Sequence, residues 1–224
     1  MPFRFRPFTA SRAGLIVAAL ASVALAGCKS TGELVVEEGV GITAIRSACP
    51  AVGIADGTGE VTLFKVPGNT SADNIDVTAA ITDVRSTCDP KASPVNAQVS
   101  FKVLASRRDG RGARDVTVPY FVTVMRGGNV VVAKRIAMAT VHFEDGQTRA
   151  QGNGTGTASI DKKEATLDPA IRNRITRARR GGDADAAVDP LSDPQVKAAI
   201  ARASFEVLVG FQLTTEQLGY NATR

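Results

Sequence analysis

The chain has no Trp, two Tyr and a single His, and only 5% of its residues are aromatic. With one His and no Cys-x-x-Cys, the usual ligand sets for structural zinc and the thioredoxin-type redox pair are missing. Gly-x-Ser-x-Gly, His-Glu-x-x-His and the Gly-rich Lys-Ser/Thr phosphate loop are also absent, which removes three common signatures of catalysis. A Ser–Lys or carboxylate-pair site stays open, because such residues need only converge in space. No apolar run approaches the roughly 20 residues that cross a bilayer as a helix. What is present is ordinary globular material: 224 residues, 44% hydrophobic and 22% charged, enough for one core. Twenty-one Gly and ten Pro suit a turn-rich β protein.

The net charge of +5 invites a nucleic-acid reading, so its distribution matters. Arg4, Arg6 and Arg12 lie in the first 27 residues, which carry no acid, so the rest of the chain holds only +2. Nucleic acid is therefore not an expected partner. The basic stretch Met1 to Arg12 precedes the apolar run Leu15 to Ala26, and the pattern reads as a secretory signal.

That segment ends in Leu25-Ala26-Gly27-Cys28, which resembles the lipobox of bacterial lipoproteins at every position. The resemblance covers residues 1–29. It implies cleavage before Cys28, a diacylglyceryl thioether on Cys28 and an acyl chain on the new amino group. Two or three chains make such anchoring stable where one does not. Lys29 follows the Cys in place of the Asp that marks inner-membrane retention in enteric bacteria, so the resemblance favours the outer membrane, facing the periplasm. The body is loosely similar to uncharacterised envelope lipoproteins of alphaproteobacteria, a likeness that brings no activity with it.

With Cys28 assigned to lipid, Cys49 and Cys88 form an even pair in a disulfide-permitting compartment. A bridge between them would close a loop worth roughly 4 kcal/mol on the chain-entropy account. Residues 28–45 read as a lipidated tether kept solvated by Glu33, Glu37 and Glu38, with Leu34-Val35-Val36 able to add a short strand.

From 46 to 162 the signals are β. Val95, Ala97, Val99, Phe101 and Val103 alternate with polar residues, as a half-buried antiparallel strand requires. Val61 to Val66 and Ile75 to Val84 flank the turn Pro67-Gly68-Asn69, and Val116 to Val124 form another strand in which Pro119 suggests an edge or a bulge. Arg126-Gly127-Gly128-Asn129 reads as a hairpin turn into Val130-Val131-Val132, followed by Ile136 to Phe143. The Gly/Thr-rich stretch Gln147 to Ile160 reads as a flexible edge strand, its glycines opening no helix as a phosphate loop would. The expected fold is mainly β, an antiparallel and loosely immunoglobulin-like sandwich, with two or three C-terminal helices packed on it over 163–224.

In that last region Asp168-Pro169 and Asp193-Pro194 each place a capping carboxylate before Pro at a first helical position. Gly181-Gly182 is expected to end the first helix, and Val196, Ile200, Ala203 and Val207 mark the second. Phe205 to Leu213 also alternates strictly, but the Ala-rich lead-in favours continuing the helix to Gly210. Thr214 and Gln217 have the spacing of a capping box. The acids Asp183, Asp185, Asp189 and Asp193 lack the glycine and terminal Glu of a calcium loop, and no metal or cofactor is expected beyond the lipid on Cys28.

Two basic clusters are the candidate contacts for an anionic partner: Arg107, Arg108, Arg111 and Arg114 around a hairpin loop at Asp109-Gly110, and Arg172, Arg174, Arg177, Arg179 and Arg180 along the first helix. The plain alternative is a solvated face. The sole His, His142, is expected to be a packed or surface residue. The resulting expectation is a lipid-anchored, non-catalytic interaction module of the envelope, bound to the membrane by its lipid and to an envelope protein. A carrier of a small apolar or glycan ligand, with a pocket near Phe101, Phe121, Phe143 or Phe205, is the alternative, and a hydrolase of envelope polymers comes third.

Overall fold

The computed structural model describes residues 47–178, 182–185 and 187–223, which lie within one compact unit. The strands are β1 (Ala51–Ile54), β2 (Glu60–Phe64), β3 (Ile75–Cys88), β4 (Val95–Arg107), β5 (Arg114–Arg126), β6 (Val130–Phe143), β7 (Arg149–Ile160) and β8 (Phe205–Phe211). Three helices, α1 (Pro169–Thr176), α2 (Pro194–Ala203) and α3 (Thr215–Thr223), surround β8 in the sequence. The strands form two four-stranded sheets, ordered β1-β8-β5-β6 and β2-β3-β4-β7. Every pairing is antiparallel except that of β1 with β8. The expected sandwich is present, and Cys49 and Cys88 are bridged.

The sheets meet through the alternation read in the sequence. Along β4 every odd-numbered residue from Val95 to Arg107 is buried and every even one exposed. Its apolar inner face meets Val118, Val122 and Val124 of β5 and Val207 and Val209 of β8 in one core, each buried Val or Phe contributing about 1.5–3 kcal/mol. The glycines of β7 serve this packing. A Cβ at Gly152 would lie 2.4 Å from the Thr140 carbonyl oxygen, one at Gly154 2.1 Å from the Phe101 ring, and one at Gly156 2.5 Å from Val122. β7 is an edge strand, as expected, but its glycines make room for the core rather than slack. Tyr120 crosses from β5 to donate its hydroxyl to the Thr155 carbonyl at 2.7 Å, so part of this edge is covered from the other sheet.

Four expectations are corrected. Phe205–Phe211 is a strand, not a continuation of the helix. Helix α2 stops at Ala203, where Arg126 donates its Nε–H to the Arg202 carbonyl at 2.6 Å and the Gly127 N–H reaches the Ser204 carbonyl at 2.9 Å. The alternating Phe205, Val207, Val209 and Phe211 then bury their side chains between β1 and β5, so the region after 163 supplies a strand of the sandwich itself. Pro119 lies in the interior strand β5, away from its bulge at Val124/Met125. It is tolerated because it lies just past the end of the β8 pairing: its carbonyl accepts from Gln212 there, and its missing donor faces the same way. The segment joining β4 to β5 is no hairpin loop, since the two strands belong to different sheets. Finally α1 ends at Thr176 with Arg177 as its cap, before the glycines.

The capping pattern held at each predicted site. Asp168 accepts from the Ala170 N–H at 2.8 Å and Asp193 from the Gln195 N–H at 2.7 Å. Thr214 and Gln217 close a reciprocal capping box at 2.9 and 3.2 Å. Helix α3 then packs on β2 through an edge-to-face pair of Phe64 and Tyr220 at 5.1 Å.

Candidate functional site

Cys28 and the other residues of the lipobox lie outside the described residues, as do Arg179 and Arg180. The remaining arginines of the two clusters are mostly neutralised where they stand. Arg107 is only 3% exposed. Its guanidinium donates to the carbonyls of Gly110, Gln147, Gly112 and Glu144 at 2.6, 2.7, 2.7 and 2.9 Å, and it stacks 5.0 Å from the centre of the Phe143 ring. It fastens the β4–β5 and β6–β7 connections together and cannot reach a partner, which corrects its assignment as an anionic contact. Arg111 pairs with Asp109 at 2.7 Å, holding that carboxyl well below the usual range, and Arg114 pairs with Asp76 at 2.8 Å. Arg108 stands 3.9 Å from Asp73.

On α1, Arg174 pairs with Asp193 at 2.7 Å, and Arg177 pairs with Asp185. The Asp193 carboxyl is lowered chiefly by the Gln195 N–H, with Val196 and Arg174 adding to it. Exposed pairs of this kind are worth about 0–1 kcal/mol, yet they flatten the positive field an anion would feel. Arg172 differs. Half-buried on α1, its guanidinium has no hydrogen-bond or ion-pair partner among the described residues.

His142 stands on the exposed face of β6, in phase with Ile136 and Met138. Its Nδ1 lies 2.6 Å from Asp115 and its Nε2 3.3 Å from Glu144, and the Asp115 contact raises the imidazole above its ordinary 6.5. Since both ring nitrogens face carboxylates, neither is placed to activate a hydroxyl nucleophile. Among the described residues, no group of three or more His, Cys, Asp or Glu could hold a metal ion. No helix among them is long and apolar enough to cross a membrane.

The surface that sequence reasoning missed is β6. It is the edge of its sheet, paired on one side with β5, and residues 130–138 are exposed throughout. Ile136 and Met138, both 60% exposed, share the outer face of β6 with Val131, 59% exposed, which the register shift at Val124/Met125 brings into phase with them. Val130, 55% exposed, lies on the other face, and Val132, 52% exposed, sits at the shift. Two cations interrupt the apolar residues, Lys134 over the Phe121 ring at 4.6 Å and Arg135 on the opposite face. Neither forms an ion pair among the described residues. The edge closes only near Thr140, where β7 approaches through Gly152. The available signal was Val130-Val131-Val132 with Ile136 and Met138 close behind on a hairpin's second strand, more apolar residues than one buried face needs.

Of the four phenylalanines expected near a pocket, Phe101 and Phe143 fill the core and Phe121 lies beneath Lys134. Phe205 borders a cavity of about 820 Å³ between the β1 end of the sandwich and helices α1 and α2. No protein family matches the chain, no curated protein is detectably similar to it, and no solved structure matches its fold.

Proposed function

We propose that the protein is a non-catalytic interaction module of a bacterial envelope, held on the membrane through lipid on Cys28, that binds a strand of an envelope protein along β6. One observation carries the reading: the open edge Val130–Met138, with apolar side chains on both faces and two unpaired cations at its middle. Exposed backbone along an edge strand can add a further strand, with side-chain pairing setting the specificity. The charges choose the occupant. An antiparallel pairing of two copies centred on this stretch sets Lys134 or Arg135 against its own counterpart, and like charges directly opposite are destabilising. A partner strand with apolar residues flanking one or two acidic ones suits the same edge.

The test is crosslinked affinity purification of the tagged, lipidated chain from solubilised envelopes. A stoichiometric partner is expected, lost in Ile136→Asp/Met138→Asp and in Lys134→Glu/Arg135→Glu but retained in Arg174→Glu/Arg177→Glu. Retention in the β6 variants overturns the docking site. If the β6 edge instead only guards against self-pairing, the neutral Lys134→Thr/Arg135→Thr produces self-association without loss of any partner. The anchor is tested apart: Cys28→Ala should leave the protein uncleaved or soluble, and a Cys28→Ala protein that still fractionates as a processed membrane protein refutes it.

A further inference from the structure

The cavity bordered by Phe205 combines mainly apolar walls with an arginine that has no described partner. Its volume of about 820 Å³ falls in the range of about 300–1,000 Å³ typical of small-molecule sites. The walls come from four separate parts of the chain: the entry to β1 beside the disulfide, the segment after β7, the facing sides of α1 and α2, and the start of β8. Apolar surface dominates, with Leu167, Ile175, Leu191, Ile200 and Phe205 contributing branched and aromatic side chains.

Charge in the lining is sparse and one-sided. Two cations, Lys162 and Arg172, face one acid, Glu206. Lys162 already donates to the Lys91 carbonyl at 2.7 Å. Arg172 donates to nothing described, although it is half-buried and five N–H groups want acceptors. The guanidinium, still reached by solvent, stands beside apolar surface with its donors uncommitted, and an anionic oxygen pair is the group its fork fits best. Elsewhere the arginines whose partners are described have acidic or carbonyl oxygens within reach, as Arg107, Arg111, Arg114, Arg174 and Arg177 do.

We propose that this cavity binds a single alkyl chain ending in an anion, with the carboxylate or phosphate on Arg172 and the chain along Ile175, Ile200 and Phe205. The site lies on different elements from the β6 edge, and either can fail without the other.

The experiment uses the full chain carrying Cys28→Ala, in detergent-free buffer, titrated calorimetrically below the micellar range. Dodecanoate and dodecyl phosphate separate the two anionic heads, dodecanol supplies the chain without charge, and dodecyltrimethylammonium reverses the sign. One equivalent of either or both anions should bind, at least about tenfold more tightly than dodecanol, because a charge-assisted bond is worth more than that. Dodecyltrimethylammonium should bind no better than dodecanol. Arg172→Gln should abolish the preference for the anion while leaving dodecanol unchanged, Ile200→Trp should weaken every ligand by obstructing the path of the alkyl chain, and Ile136→Asp on β6 should change nothing. Absence of binding, several equivalents bound per chain, equal affinity for dodecanol and the anions, or an unaltered preference in Arg172→Gln each overturns the proposal. Tighter binding of the cation than of the anions assigns the site to Glu206 and overturns it as well. Unfolding curves without ligand that match the parent for Arg172→Gln keep a folding defect from imitating the result.

Discussion

Replacing Arg107 probes the structure where sequence and fold differ most in meaning. Four of its five N–H groups end on main-chain carbonyls, of Gly110 and Gly112 in the β4–β5 connection and Glu144 and Gln147 in the β6–β7 connection. Truncation to Ala orphans all four acceptors. If the two connections relax enough for half of them to regain water, two remain at about 1–3 kcal/mol each. Loss of the stacking on Phe143 adds about 1 kcal/mol, for a total near 5 kcal/mol. At about 2–4 °C per kcal/mol for a chain of this size, the midpoint should fall by about 15 °C. Arg107→Met, which keeps the apolar stem, should cost nearly as much, and Arg107→Lys should recover a minor part because one ammonium cannot span four carbonyls. Reversible urea unfolding followed by far-ultraviolet dichroism measures all three. A loss below about 1.5 kcal/mol in Arg107→Ala, or an Arg107→Met as stable as the parent, would refute the reasoning, since the carbonyls would then need no donor.

Three further perturbations have worked expectations. His142 should titrate above 6.5 by NMR, and Asp115→Asn should return it toward that value. Because the folded state holds the proton more tightly, this contribution to stability is complete below the unfolded value near 6.5 and is lost as pH rises through the raised folded value; a slope of opposite sign contradicts the pairing. Breaking the bridge in Cys49→Ser/Cys88→Ser opens a loop of sequence separation 39 and should cost roughly 4 kcal/mol, read from the unfolding free energy extrapolated to zero urea, with a steeper urea slope because the unbridged chain exposes more surface. Gly154→Ala places a methyl 2.1 Å from the Phe101 ring and should cost about 1–3 kcal/mol, whereas Gly112→Ala, with open space but a φ of 72°, should cost less. Equal losses at the two glycines would show that space on β7 is not the constraint.

Much of the sandwich was legible because period-two alternation and helix caps are local signals. Val95 to Val103 read correctly as a one-sided strand, and the side chains of Asp168, Asp193, Thr214 and Gln217 made the bonds their positions implied. Strand β8 was misread because an Ala-rich helix and a strand abut at Ser204 with no Gly or Pro between them, and only pairing with β1 and β5 decides the boundary. Arg107 carried a usable signal, since it continues the odd-numbered buried phase of β4, but local charge density suggested a surface cluster instead. Pro119 could not be placed, because its tolerance depends on where β8 ends, many residues away in sequence. The candidate surfaces were harder still. The exposure of β6 depends on which strands leave its edge uncovered, and the isolation of Arg172 depends on which side chains the fold brings to α1.

The most direct test is site-specific photo-crosslinking in intact envelopes, with the probe placed in turn at each position from 130 to 138 and at Ser100 and Lys102 on the outer face of the other sheet. Adducts with one and the same protein are expected from the β6 positions, none from Ser100 or Lys102, and their disappearance in Lys134→Glu/Arg135→Glu. Adducts that are absent from β6, equally strong from the opposite sheet, or indifferent to the charge reversal would contradict docking along β6.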